Sequence, residues 1–280
     1  MSRKTKKTGG HGAKIPPYAN RATLIVYLVL RALVILVLVR AAFRWDFEGV
    51  FFSTLTLVLM ILPSIFTKSL NIELPSTLEI IILLFIFAAE ILGELNSFYI
   101  HVPNWDTMLH TINGFLCAAI GFALVDMLNR SDKFSFKLSP VYLAIVAFCF
   151  SMTVGVMWEF FEYAGDRFFG FDMQKDTVVD TIRTVELDET RTNKVVSISD
   201  ISDVIIVHPD GTQETLGLGG YLDIGIHDTM EDLMVNFIGA FIFSIIGYFY
   251  VKEKGKGRFA ARFIPRVRSR FGQDPNNRQP

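Results

Sequence analysis

Residues 141–163 read VYLAIVAFCFSMTVGVMWEFFEY: eighteen residues without a charge, then Glu159 and Glu162 at the end. A helix needs about 20 apolar residues to cross roughly 30 Å of hydrocarbon, and this stretch has that length. Working outward, five more stretches qualify, at roughly 22–43, 48–66, 77–97, 106–127 and 230–251. The first is too long for a cleavable signal peptide, contains Arg31 and Arg40, and lacks a small-residue cleavage site after it. The whole chain agrees. Of its 280 residues 51% are hydrophobic, 26 are Phe and only 20% are charged, and its mean hydropathy is +0.40. Disorder is excluded for the body of the chain, and so is a disulfide scaffold, because Cys117 and Cys149 both lie inside apolar runs as small hydrophobes. The sequence therefore predicts an all-α polytopic membrane protein of about six transmembrane helices with a small extracytoplasmic β insertion.

Basic residues orient it. With the N-terminus in the cytoplasm, the inner segments 1–21, 67–76, 128–140 and 252–280 hold 19 Lys and Arg, and the outer segments hold seven. An even number of spans puts both basic termini on the same side. The expectation is a multi-pass protein of the cell (plasma or inner) membrane with both termini cytoplasmic. Residues 1–21 are expected to form a basic cytoplasmic arm, 22–166 helices one to five, 167–227 an extracytoplasmic β-rich insertion, 228–251 the sixth helix and 252–280 a basic cytoplasmic tail. The expected partners are the bilayer and, for the tail, anionic lipid headgroups; the tail's charge also reads as a topology signal alone. No nucleic-acid partner is expected. Within the insertion, His208-Pro209-Asp210-Gly211 is a strong turn signal between Val195–Val207 and Thr212–Leu216, and Thr181–Leu187 offers another strand.

Ionisable residues inside spans are costly and usually face a bundle interior, a partner or a water-filled cavity. Here they share one depth. Glu90, Glu94, Glu159 and Glu162 lie in the outer halves of the third and fifth spans, and Asp106, His110, Asn113, Asp228, Asp232 and Asn236 open the fourth and sixth. Asp106 and His110 are i,i+4; Glu159, Glu162 and Asp166 are i,i+3,i+7; Asp228, Asp232 and Asn236 are i,i+4,i+8, so each set shares a helix face. These sets can converge on a common outer vestibule. Asp106 and Asp228 also stand where N-caps are expected, and capping alone accounts for them; His110 also reads as a core histidine bonded to Asp106, and the two Asn as interhelical hydrogen bonds. The glutamates are harder to dismiss, because a carboxylate is disfavoured at the negative end of a helix. Their compensation is expected from Arg167, His227, Arg31 or a bound cation, or from uptake of protons that, with Arg167, suffices to balance them. Oxygen-rich sites with one imidazole suit Mg²⁺, Ca²⁺ or Mn²⁺.

The opening of the fourth span, D-T-M-L-H-T-I-N-G-F from Asp106, also matches D-T-M-E-D-L-M-V-N-F-I-G from Asp228, with one gap. Such a match suggests a pair of related helical hairpins.

Asp106, His110 and Gly114-Phe115 resemble the D-x-x-x-H-x-x-x-G-F element of YjdF-like bacterial inner-membrane proteins. Glu159-Phe160-Phe161-Glu162 is similar to that family's E-F-x-E element, and Asp228-Thr229-Met230-Glu231-Asp232 with Gly239 to its D-T-x-x-D element. More distantly the arrangement resembles VanZ-like membrane proteins, some of them linked to glycopeptide resistance at the cell envelope. The resemblance covers about residues 77–250 and implies fold and location; it carries no reaction. The long insertion departs from the pattern and holds a second D-T-x-x-D at Asp176 and Asp180.

Three functions compete. In the first, the outward-facing acidic and histidine site binds a cation or a lipid-linked cell-envelope substrate, with His110, Glu159 and Glu162 as the catalytic group and His110, Glu159, Glu162 and Asp232 as the metal set. Glu90, Glu94, Asp106, Asn113, Asp228, Asp232 and Asn236 are the ligand-binding positions. The second is a proton- or cation-coupled transporter, and the third a non-catalytic scaffold. A Gly-rich phosphate loop, a nucleophile elbow, H-E-x-x-H and a Cys zinc pair are all missing from the sequence, so no enzyme class is indicated.

Overall fold

Pro63 breaks the second span. It has no N–H to give the Leu59 carbonyl and its ring crowds that carbonyl, so α2 (Phe47–Leu59) stops and α3 (Leu62–Ser69) begins after a two-residue interruption. This is a computed structural model that describes residues 21–69, 72–129, 138–253, 262–264 and 266–267. It contains six helical stretches long and apolar enough to cross a membrane: Arg21–Phe43, Phe47–Ser69, Ser76–Glu94, Trp105–Asp126, Pro140–Phe169 and Ile226–Lys252. The expected basic arm at 1–20, and the part of the tail expected to meet lipid headgroups, lie outside the described residues except for a few positions near 262–267.

The chain divides into two compact units, residues 1–98 with 258–280 and residues 99–257. In the first, α1 (Arg21–Phe43) packs on α2 and on α4 (Ser76–Phe87), which continues as a π-helical turn over Ala88–Glu94. Their shared core is Leu30, Val34, Met60, Leu83, Ile86 and Ile91. Most of α1 stays outside it, with Ile25, Leu28 and Leu36 more than half exposed. An apolar surface of that kind is at home against lipid. Asp46 caps α2, its Oδ1 accepting from Gly49 N at 2.9 Å. Arg31 donates to the Tyr27 hydroxyl and its guanidinium lies 5.6 Å from that ring's centre. Its partner is a phenol one turn back on its own helix.

The chain enters the second unit through the single turn α5 (Phe98–His101) and then runs through α6 (Trp105–Asn129), α7 (Pro140–Ala164) and α8 (Ile226–Lys252), which pack pairwise into a three-helix bundle. Ser139-Pro140 starts α7: the Ser139 hydroxyl accepts from Tyr142 N at 3.3 Å, and Pro140 costs nothing at N1, where its N–H has no intrahelical partner. A second π turn, Gly165–Phe169, ends that span. The contacts along the bundle run in the same direction on α6 and α8 and in reverse on α7. Phe115 and Phe122 meet Phe243 edge to face, and Ser151 of α7 donates to the Gly114 carbonyl at 2.8 Å.

The insertion is simpler than one sheet. β2 (Val178–Val179) pairs with β7 (Tyr221–Leu222), β3 (Ile182–Thr184) with β4 (Val196–Ile198), and β5 (Ile205–Val207) with β6 (Gln213–Thr215), all antiparallel. The Pro-Asp-Gly turn joins β5 to β6 as the sequence predicts, with Gly211 N donating to His208 O at 2.9 Å. Val195–Val207 does not form one strand; it holds two, each serving a different ladder. The fifth span runs to Phe169 and the sixth begins at Ile226, so the strands occupy a slightly shorter segment than 167–227. In the first unit, β1 (Ile72–Glu73) pairs with β8 (Arg266–Val267).

Candidate functional site

The three-helix bundle brings the candidate residues together near the N-terminal ends of α6 and α8. His110, one turn into α6, stands among carboxylates from all three helices. Its Nε2 is 3.5 Å from Asp106 Oδ1 and 3.7 Å from Asp232 Oδ2, and its Nδ1 is 3.8 Å from Glu159 Oε1. Two sets of three can each present their ligand atoms within 4.8 Å of one another: Asp106, His110 and Asp232, and Glu159, Glu162 and Asp232. Asp232 belongs to both.

The cluster is buried. His110, Glu159, Glu162 and Asp232 are 7, 5, 8 and 3% exposed, and Asp106 is the half-buried member at its rim. The expected open vestibule is therefore a closed pocket of side chains between helices. The reason is the tight approach of α6 to α8. A Cβ on Gly114 would fall 2.1 Å from the Asn236 carbonyl oxygen, and one on Gly239 would fall 2.0 Å from that of Thr111. Only glycine permits that approach, in which Cα–H groups meet carbonyls across the interface.

Glu162 is held by the Trp158 indole, whose Nε1 donates to Oε1 at 2.7 Å. Glu159 is different: neither of its oxygens has a hydrogen bond among the described residues. Thr229 lies close enough to interact with it, outside hydrogen-bond geometry; its hydroxyl accepts from Gln174 Nε2 at 2.5 Å and keeps its own proton to donate. A buried carboxylate without donors is expensive unless something else satisfies it. The compensating groups expected from the sequence are elsewhere. Arg167 is exposed and is not among the cluster's ion-pair partners. His227 is exposed and interacts with Asp223, and Arg31 is taken by Tyr27.

The remaining candidates separate into structural groups. Asn113 Nδ2 donates to Asn236 Oδ1 at 3.2 Å, one turn deeper than His110; Asn236 is fully buried and its Nδ2 approaches Met152 Sδ at 3.6 Å. This pair is an interhelical tie. Neither Asp106 nor Asp228 is an N-cap: α6 already includes Trp105, and α8 is preceded by Gly225. Asp228 instead accepts from Lys175 N at 2.8 Å. Glu90 and Glu94 lie in the π turn of the first unit, Glu90 buried there, and are not part of this cluster.

A strap missed by the sequence reading lies over the ends of α7 and α8. Asp166 accepts from Met173 N and Gln174 N at 2.6 and 2.8 Å, Asp228 from Lys175 N, and Asp223 from Thr177 N at 2.7 Å. Burial pushes the Asp223 carboxyl up, but the N–H groups of Thr177, His227 and Gly225 outweigh it and hold the group below the usual Asp value. The signal available in the sequence was the density of Asp beside Gly and Thr around 166–177 and 223–229.

Residues 24–188 match a family described as predicted membrane protein, DUF2238. A relative from Thermotoga maritima described only as an uncharacterized protein is 25% identical over 124 residues, which is 43% of this chain; the match spans 62% of that relative's length. No solved structure matches the chain.

Proposed function

The chain belongs to the DUF2238 family of predicted membrane proteins, and from that premise we propose that it is a cell-membrane protein built around a divalent-cation centre. The YjdF-like pattern is consistent with that membership. The centre is His110, Asp106, Asp232, Glu159 and Glu162, in the outer half of the bilayer with both termini cytoplasmic. The observation that carries this reading is Glu159: a buried carboxylate with no hydrogen bond among the described residues, beside an imidazole nitrogen and grouped with two further carboxylates. A cation among these carboxylates, with His110 offering it one ring nitrogen, supplies the positive charge that the cluster lacks. Metal–ligand bonds of about 2.1 Å place neighbouring ligand atoms about 3.0 Å apart in an octahedron and about 3.4 Å apart in a tetrahedron; with Ca²⁺ the octahedral edge is also about 3.4 Å. The two spacings at His110 Nε2, 3.5 Å to Asp106 and 3.7 Å to Asp232, need only a small contraction. Mg²⁺, Ca²⁺ and Mn²⁺ suit the ligand chemistry, and the wide spacing favours the larger two.

The cation's task, in this reading, is to hold the polar head of a lipid-linked envelope substrate arriving at the Asp106 rim. The distant VanZ-like resemblance points to the same location. Transport is less well supported. Below the cluster the bundle closes through the Gly114 and Gly239 contacts and then through Phe122 and Phe243, both fully buried, and this is the direction a path to the cytoplasm would take. The test is metal analysis of the protein purified in detergent, before and after chelation. Retained divalent metal that the chelator removes and added Mn²⁺ restores supports the centre; a protein that takes up no divalent ion under any condition overturns it.

A further inference from the structure

We infer that the centre holds two cations, not one, with the Asp232 carboxylate bridging them. This rests on the cation reading above and adds stoichiometry and geometry to it. The first position is formed by Asp106, His110 and Asp232, from α6 and α8. The second is formed by Glu159, Glu162 and Asp232, from α7 and α8. The two sets share no other residue. Asp232 lies 3% exposed between them, and its carboxylate has two oxygens to divide. Glu159 Oε1 of the second set lies 3.8 Å from His110 Nδ1, the ring nitrogen that Asp106 and Asp232 leave free, and has no hydrogen bond among the described residues.

Charge points the same way. Asp106, Glu159, Glu162 and Asp232, when ionised, carry four negative charges beside one imidazole. A single divalent ion cancels half of them in a buried site, where uncompensated charge is costly; two cancel all four. Helix bundles build such paired centres from carboxylates and histidines on facing helices. Ions roughly 3.5–4 Å apart clamp a phosphoryl or similar oxyanion between them. The ligand class that follows is an oxyanion headgroup, phosphate or pyrophosphate, bound at the Asp106 rim.

The probe is Mn²⁺ itself, added to the full chain in detergent after chelation, with bound metal counted per chain and the electron paramagnetic resonance spectrum recorded. The wild type should bind about two Mn²⁺ with the broadened, multi-line spectrum of a spin-coupled pair. His110→Ala and Glu162→Gln should each fall to about one, with the six-line spectrum of an isolated ion, and Asp232→Asn should lose the coupled signal. One Mn²⁺ per wild-type chain with a six-line spectrum overturns the pair and leaves the single-cation centre standing. No Mn²⁺ at all overturns both. A coupled pair that survives in His110→Ala overturns the division of ligands. The wild-type count needs no substituted protein, so a variant that fails to fold leaves the test decisive.

Discussion

Gly239 on α8 rests against the main-chain carbonyl of Thr111 on α6, so close that a Cβ there would lie 2.0 Å from the oxygen. Gly114 makes the reciprocal approach to Asn236. The two short motifs that look alike in the sequence, from Asp106 and from Asp228, are thus the two sides of one helix crossing. That crossing sets His110 and Asp232 side by side.

Gly239→Ala and Gly114→Ala should therefore separate α6 from α8. Backbone cannot step aside as a flexible side chain can, so each should cost at least the about 1–3 kcal/mol of ordinary overpacking. Thermal melting in detergent checks this, and an unchanged midpoint in both variants would refute the crossing.

The orientation is tested by labelling. A cysteine at Thr212 should react with an impermeant thiol reagent on intact cells, and one at Ser135 should react only after permeabilisation. The two positions lie on opposite sides of the fifth span in the orientation that the Lys and Arg distribution gives. The reverse pattern would put the cluster in the inner half of the bilayer.

The six spans and the turn at 208–211 were legible because each is written in local residue chemistry: apolar length and Pro-Asp-Gly. The convergence of His110, Glu159, Glu162 and Asp232 was legible from i,i+3 and i,i+4 spacing. What hid was contact made with main chain far away in the sequence. Asp228 reads as a cap, but its partner is the Lys175 N–H, 53 residues away. Asp166 looks like a continuation of the glutamate face and instead grips the strap at Met173 and Gln174. The burial that turns a vestibule into a closed cluster depends on Gly114 and Gly239, whose role is visible only once α6 and α8 touch.

The strap should loosen in acid. Asp223's carboxyl is held below its usual value of about 3.9, so it adds stability above that pH and loses it as the pH falls through the lower folded value. Asp188, in the 185–194 turn, behaves likewise: the Thr190 hydroxyl and the N–H groups of Lys194, Thr192 and Thr190 outweigh desolvation and bring it down to about 2. Amide exchange at Thr177 and His227, corrected for its intrinsic pH dependence, should accelerate below about pH 4. In Asp223→Ala, which removes the acceptor for Thr177, Gly225 and His227 N–H, it should already be fast at neutral pH. Protection that does not change with acid in the wild type contradicts this.

The central claim is that the buried cluster is completed by a divalent cation. The most direct measurement is the thermal stability of the chelated, detergent-purified protein titrated with Mn²⁺, Mg²⁺ and Ca²⁺, for the wild type and for Glu159→Gln/Glu162→Gln. Ligand that binds only the folded state stabilises by mass action, about 2.7 kcal/mol at a hundred times its dissociation constant. The wild-type midpoint should rise saturably with at least one of these ions, and the double variant should lose that rise. A wild type whose midpoint responds to none of them, or a double variant that responds equally, would contradict it.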